Sequence, residues 1–203
     1  MKYVAALLAV ITTLMANYLY KDYQAEEKKE AEAYAARKEI DPRNVKTFLE
    51  TKAKAETGDA DAQYSLGHLY ADGRGVAKDL VRATEWWRTS AIQGNTEAQT
   101  TLALCYTRSD KGVEKNLVEA AKLIRMAAQQ GDPLDLLMMG DCYLNGQGVV
   151  KDDIEAYAYF TLSAIRTGRK YSYHEKLESR MTPAQIAAGN KRAKELQNEI
   201  DNK

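Results

Sequence analysis

The stretch that decides the fold is residues 58–94, which read GDADAQYSLGHLYADGRGVAKDLVRATEWWRTSAIQG. Its pattern returns twice further along the chain, because Gly58-Asp-Ala aligns with Gly94-Asn-Thr and with Gly131-Asp-Pro. The intervals between these glycines are 36 and 37 residues, and the later positions of each copy stay in step. Self-similarity at such a period indicates an array of small units, each of which buries its apolar face against its neighbours.

Each unit has the pattern of two antiparallel helices. In the first unit, apolar residues recur at steps of four in Ala62, Leu66 and Tyr70, which predicts one buried stripe on a first helix. A Gly-x-Gly turn such as Gly73-Arg-Gly75 ends that helix, since glycine accepts the left-handed conformation of a helix C-cap. An N-cap residue then starts the second helix, and these residues are Asp79, Asn116 and Asp152. A small residue beside the stripe marks a close approach of the second helix, and it is Gly67, Ala103 or Gly140.

These residues closely resemble the Sel-one-like repeat family, which is related to the tetratricopeptide repeats. The family pattern is present as Ala62…Leu66-Gly67…Tyr70…Gly73-Arg-Gly75-Val76…Asp79…Ala83…Trp86…Ala91…Gly94. The third copy departs from it at Asp135, where the family prefers alanine, and the second copy has Ser109 in place of the first loop glycine. The resemblance covers about residues 44–168 and implies an all-α, right-handed α-solenoid of about three helix pairs, over 58–93, 94–130 and 131–168.

Both ends of the array have candidate caps. Val45–Thr57 is similar to the second helix of a unit and predicts an N-terminal half-repeat. At the other end, Thr182-Pro183-Ala184-Gln185 is a capping box with proline at the first helical position. Apolar residues at helical spacing follow it, so residues 169–203 are expected to form a C-terminal capping helix that covers the last open edge.

The N-terminal segment predicts export. After Lys2 an apolar run extends from Tyr3 to Tyr20, which is typical of a signal peptide and is close to the length that spans a bilayer. We therefore expect residues 1–20 to be a cleaved export signal or a retained anchor, residues 21–43 to be a charged helical linker, and the protein to be periplasmic. Any membrane association is expected through this segment alone.

Composition argues against several classes of function. Lys+Arg and Asp+Glu both number 29, whereas a nucleic-acid binder needs an excess of basic residues. The two histidines, His68 and His174, assemble no zinc site, and no cofactor motif occurs. Cys105 and Cys142 are interpreted as small buried hydrophobes, with a disulfide as the alternative. None of the serines is followed by lysine three residues on, so the signature of penicillin-recognising enzymes is missing.

Helix phase selects candidate partner-binding residues on the concave face of the solenoid. They do not belong to the repeat frame of the first helices, and they differ between copies: Gln63, Tyr64, His68, Gln99, Thr100, Leu136, Leu137 and Asp141. Trp86 belongs to the frame and is expected in the core. Its neighbour Trp87 faces elsewhere. A core or repeat-edge position is the favoured interpretation of Trp87, and it is added as a candidate partner anchor because tryptophan is common at interface hot spots.

The resemblance implies a non-catalytic protein-interaction scaffold of the bacterial cell envelope, whose partner is another protein or a peptide. Three alternatives stay open. The first is an immunity protein that neutralises a secreted toxin, the second is a cell-wall glycan binder, and the third is an enzyme acting on β-lactams or peptidoglycan. An enzyme would need a nucleophile or an acid pair with an orienting base, and the sequence offers neither.

Overall fold

The computed structural model describes residues 21, 24–26, 28–29, 32–34, 41–109, 113–169 and 172–202. The helices whose two ends fall within these ranges are α1 (Pro42–Glu56), α2 (Ala60–Asp72), α3 (Leu80–Ile92), α4 (Thr96–Arg108), α5 (Leu117–Ala128), α6 (Pro133–Asn145), α7 (Asp153–Thr167), α8 (Ser172–Glu178) and α9 (Pro183–Asp201). The expected export segment 1–20 lies outside the described residues, and so do residues 22–23, 27, 30–31 and 35–40 of the expected linker 21–43. No helix in the described part of the chain is both long and apolar enough to cross a bilayer.

The helices pack in chain order. Helix α1 lies against α2, each of α2 to α7 lies against the helix before it and the helix after it, and α9 returns to pack against α7. The pairs α2/α3, α4/α5 and α6/α7 are the three predicted repeats, and α1 is the predicted half-repeat. The prediction of an all-α solenoid with a half-repeat at one end and a capping helix at the other is confirmed.

The predicted caps begin and end these helices. Asp79, Asn116 and Asp152 each accept hydrogen bonds from backbone amides of the turn that follows them. Gly73 and Gly146 take the left-handed conformation at the ends of α2 and α6, with φ of 70° and 67°. Ser109 takes the same conformation at the end of α4, with φ of 57°, so the second repeat keeps the turn without the glycine.

Size complementarity decides how closely the two helices of a repeat approach. A Cβ added at Gly67 would overlap the indole of Trp87, and one added at Gly140 would overlap the ring of Phe160. Both rings are fully buried. The corresponding residues of the second repeat are Ala103 and Ile124. Alanine is larger than the glycine of the other repeats, and isoleucine is smaller than their aromatic residue. The prediction that the small residue marks a close approach is confirmed for the first and third repeats.

Side-chain hydrogen bonds join successive repeats. Gln63 Nε2 donates to the backbone oxygen of Ala55, and Gln99 Nε2 donates to that of Ala91, both at 3.0 Å. At the edge of the same junctions, Arg88 donates to the hydroxyl of Tyr106 and Arg125 donates to that of Tyr143, again at 3.0 Å. The second helix of one unit is thereby tied to the first helix of the next unit.

The two ends of the array differ from what the sequence predicted. The half-repeat was expected to begin at Val45, but α1 begins at Pro42, with Asp41 as its N-cap. Within the linker, Gln24 Nε2 lies 2.7 Å from both carboxylate oxygens of Glu56, so this residue contacts the array. At the other end, the connection before the capping helix contains the short helix α8. The capping box that begins α9 is present as predicted.

Candidate functional site

A groove of about 620 Å³ crosses the first helices of the repeats. One side of it is Tyr64 of α2, and the middle is α4. The other side is the turn before α6 and the first residues of that helix. The α4 residues that line it are Thr96, Glu97, Thr100 and Thr101, and those of the far side are Gln130, Gly131, Asp132, Leu134 and Asp135. The groove therefore joins parts of three successive repeats on one face of the solenoid.

The most unusual group in the groove is the carboxylate of Asp135. This residue is 4% exposed, and its Oδ1 accepts a hydrogen bond of 2.7 Å from the hydroxyl of Thr100. Burial raises the pKa of Asp135, the bond from Thr100 lowers it, and the nearby charges of Asp132 and Glu97 raise it, so that the net direction is upward. A carboxyl group whose pKa is raised by folding favours the folded state at low pH, and that contribution is lost as the pH rises above its ordinary pKa of 3.8.

The two junctions between first helices differ in charge. Between the first and second repeats, Asn95 Nδ2 donates to Asp61 Oδ1 at 2.8 Å, so the carboxylate has an amide partner. The corresponding positions at the next junction are Glu97 and Asp132, which are both acidic. Asp135 itself stands where the first two repeats have alanine. Three carboxylates thus line the second junction, where the first junction has one carboxylate with its own donor.

The described residues that line the groove include no lysine, arginine or histidine. Its polar surface consists of these carboxylates, three threonine side chains and the amide of Gln130. Its apolar surface is the ring of Tyr64 and the side chain of Leu134, which is 62% exposed. The groove is consequently an acidic cleft with an apolar or aromatic residue on each side.

The structure brings some of the predicted candidates together. Tyr64 and Thr100 both line the groove. His68 lies one turn from Tyr64, with ring centroids 4.7 Å apart, and is half-buried between it and the ring of Trp87. Leu137 is half-buried and packs against the C-terminal part of the core, and Asp141 lies exposed one turn further along α6. Whether any of these residues contacts a partner stays a prediction.

Four other candidates are buried and are not available to a partner. Gln63 and Gln99 are 4% and 1% exposed, and their amides bond to the backbone of the preceding helix. Trp87 is fully buried, as its favoured interpretation predicted, so it is not a partner anchor, whereas Trp86, which was expected in the core, is partly exposed. Leu136 is also fully buried. The physical reason is that a first helix packs against its own second helix and against that of the preceding repeat, so that most of its circumference is covered.

Sequence reasoning missed the acidic residues of the groove. Glu97 and Asp132 occupy the first turn and the N-cap, where carboxylates are expected simply as helix-start residues. Asp135 did have a signal, because it interrupts the alanine of the repeat frame. A charged residue at a position that the other copies fill with alanine points to a role that packing alone does not require.

The two cysteines and His174 lie in the interior. Cys105 and Cys142 are buried and form no disulfide, as the favoured interpretation predicted, and burial raises the pKa of Cys142 to about 11. His174 is 2% exposed, stacks on Tyr157 at 4.7 Å, and has its Nε2 3.1 Å from the hydroxyl of Thr161. In the described part of the chain, no three His, Cys, Asp or Glu side chains converge in a way that would hold a metal ion.

The packing and the groove define the class of protein, a helical-repeat solenoid with an open cleft along its first helices. A family model described as the Sel1 repeat matches residues 60–95, 96–132 and 134–166, which together are more than half of the chain. The chain therefore belongs to the Sel1 repeat family, as the resemblance implied. Sel1 repeats generally form non-catalytic scaffolds that mediate protein–protein interaction.

Two solved structures support the assignment. A Sel1 repeat protein from Oxalobacter formigenes is 29% identical with a TM-score of 0.57, and the match covers 64% of this chain and 96% of that one. The protein c5321, a protective antigen of uropathogenic Escherichia coli strains with an SLR fold, is 25% identical with a TM-score of 0.56. That match covers 75% of this chain and 41% of the antigen, so this chain spans less than half of its length. A comparison with curated protein sequences gave no match.

Proposed function

We propose that this protein is a non-catalytic scaffold that binds a protein or peptide partner in the groove on the concave face of its first helices. The observation that carries the proposal is the groove itself, which is continuous across parts of three repeats. Extended surfaces of this kind are how stacked repeats contact long or irregular ligands. The family assignment supports the same role, since Sel1 repeats generally mediate protein–protein interaction.

A matched pair of surface variants tests whether the partner binds on the face that contains the groove. Leu134 in the groove is 62% exposed and Val81 on the second helix of the first repeat is 61% exposed, so both tolerate a polar residue. With the full chain as bait in an envelope extract, we expect Leu134→Ser to weaken capture of the partner roughly tenfold, because a buried apolar contact is lost. Val81→Ser should leave capture unchanged. Equal capture by both variants would show that the partner binds elsewhere, and retention on cell wall with no captured protein would favour the glycan-binding alternative.

We further propose that the scaffold is exported to the periplasm, with residues 1–20 as its signal or anchor. The support is the apolar run that follows Lys2, which has the composition and length of such a segment. Fractionation of cells that produce the full chain with a C-terminal tag tests this. We expect the protein in the envelope fractions, and in the cytoplasm when residues 2–20 are deleted. The same distribution for both proteins would contradict the proposal.

A further inference from the structure

The groove brings three carboxylates together at the junction of the second and third repeats, and the described residues that line it include no cationic side chain. Asp135 is 4% exposed and forms no ion pair with any residue that the structure describes, and the charges of Glu97 and Asp132 add to the field around it. A buried carboxylate is normally paired with a cation or held by several donors, because removing it from water is costly. Here only one neutral donor, the hydroxyl of Thr100, is present among the described residues.

The second oxygen of this carboxylate is open to a ligand. Thr100 bonds to Oδ1, and Oδ2 accepts no hydrogen bond from any residue that the structure describes. Asp135 is one of the residues that line the groove, so the unused acceptor belongs to a side chain that is nine-tenths buried and faces the cleft. An incoming donor would complete its hydrogen bonding without displacing an existing contact.

The preceding junction shows that this charge is not required by the fold. There the positions of Glu97 and Asp132 hold Asp61 and Asn95, which bond to each other at 2.8 Å. The position of Asp135 holds alanine in both other repeats. The junction of the second and third repeats therefore carries like charges and a buried carboxylate, whereas the preceding junction packs with a hydrogen-bonded pair and an alanine.

We propose that this end of the groove binds a lysine or arginine side chain of the partner polypeptide, with Asp135 as its principal acceptor. The inference rests on the proposed scaffold function and names the chemistry of its partner. A long basic side chain fits the lining at this end of the groove, because its methylene groups can pack against the exposed side chain of Leu134. A metal ion does not fit, since the described carboxylates do not converge as metal ligands.

Selection from a random peptide library displayed on phage tests the proposal with the full chain as the target. We expect peptides that bind the wild-type protein to be enriched in lysine and arginine. Asp135→Asn should abolish the enrichment and weaken a selected peptide about tenfold or more, because one partner of a desolvated charge pair is lost. The control is Glu119→Gln, which removes the charge of an exposed carboxylate on α5 that pairs with Lys122 of the same helix. This residue does not line the groove, so neither the basic enrichment nor the affinity of a selected peptide should change.

The unfolding of the Asp135→Asn variant shows whether the loss of binding reflects a loss of structure. Folding raises the pKa of Asp135, so an uncharged amide at this position should make the protein more resistant to urea at pH 7. The difference should shrink as the pH falls towards 4 and the carboxyl group takes up its proton. A variant that is at least as stable as the wild type and no longer selects basic peptides supports the proposal.

Several outcomes would overturn it. Selected peptides without basic residues, basic enrichment that persists in Asp135→Asn, or no selected peptides at all would each show that no lysine or arginine is bound there. The scaffold proposal fails separately, when Leu134→Ser and Val81→Ser capture the same amount of partner. A partner that depends on Leu134 but not on Asp135 would leave the scaffold intact and remove only its basic specificity.

Discussion

Replacement of Trp87 with alanine is expected to lower the free energy of unfolding by about 3–5 kcal/mol, the range for removal of a large aromatic core residue. Trp87 is fully buried, and its indole nitrogen donates to the backbone oxygen of Tyr64 at 3.2 Å. Its ring also fills the space above Gly67, where a side chain of any size would overlap it. The loss therefore combines a cavity with a broken link between the two helices of the first repeat.

The adjacent tryptophan is the matched control. Trp86 has the same chemistry and lies one residue earlier on α3, but it is only partly buried. Trp86→Ala should therefore cost clearly less than Trp87→Ala when both variants are unfolded with urea. A larger cost at Trp86 would show that α3 is rotated about its axis relative to the structure described above.

Replacement of Gly140 with alanine is expected to lower the free energy of unfolding by about 3 kcal/mol, at the upper end of what overpacking typically costs. The sign of this change in the free energy of unfolding is informative, because a glycine-to-alanine substitution in an exposed helix would stabilise the helix by about 1 kcal/mol. The new methyl group would overlap the ring of Phe160, which is fully buried, so that relief of the overlap would require the core around the ring to shift.

The second repeat supplies the compensating change. It has Ala103 and Ile124 at the positions of Gly140 and Phe160, so Gly140→Ala combined with Phe160→Ile copies a pairing that the protein already contains. We expect the double variant to be more stable than the sum of the two single changes predicts, with a coupling of about 1–3 kcal/mol in thermal or urea unfolding. Additive effects would mean that the methyl group and the ring do not meet.

The sequence was sufficient to predict the parts of the fold that depend on local chemistry. Asp79, Asn116 and Asp152 begin the second helices as predicted, because an N-cap needs only its own backbone turn. Thr182 and Gln185 form the predicted capping box for the same reason. The repeat period fixed the order of the helix pairs, since units of equal length stack in equal ways.

The side-chain directions were predicted less well, and the reason is geometric. Ala83, Trp87 and Ala91 lie at steps of four and form the buried stripe of α3, whereas the frame of the family pointed to Trp86. Likewise Gln63 and Gln99 were assigned to the concave face, but they bond to the preceding helix. One residue is 100° of helix rotation, so an error of one position moves a side chain from the core to the surface. The acidic groove depends on residues of different repeats and was beyond any argument from a single helix.

The packing of each helix on its neighbours in the chain has a consequence for synthesis on the ribosome. Because the contacts from α1 to α7 are sequential, every unit can fold as soon as the following helix has emerged, and no distant segment has to be awaited. The exception is the contact between α7 and α9, which leaves the apolar surface of α7 uncovered until Ala193 and Leu196 arrive. A nascent chain released before residue 183 would thus have a nearly complete array whose last repeat exposes an apolar surface. Premature termination before the last helix is therefore expected to lead to aggregation.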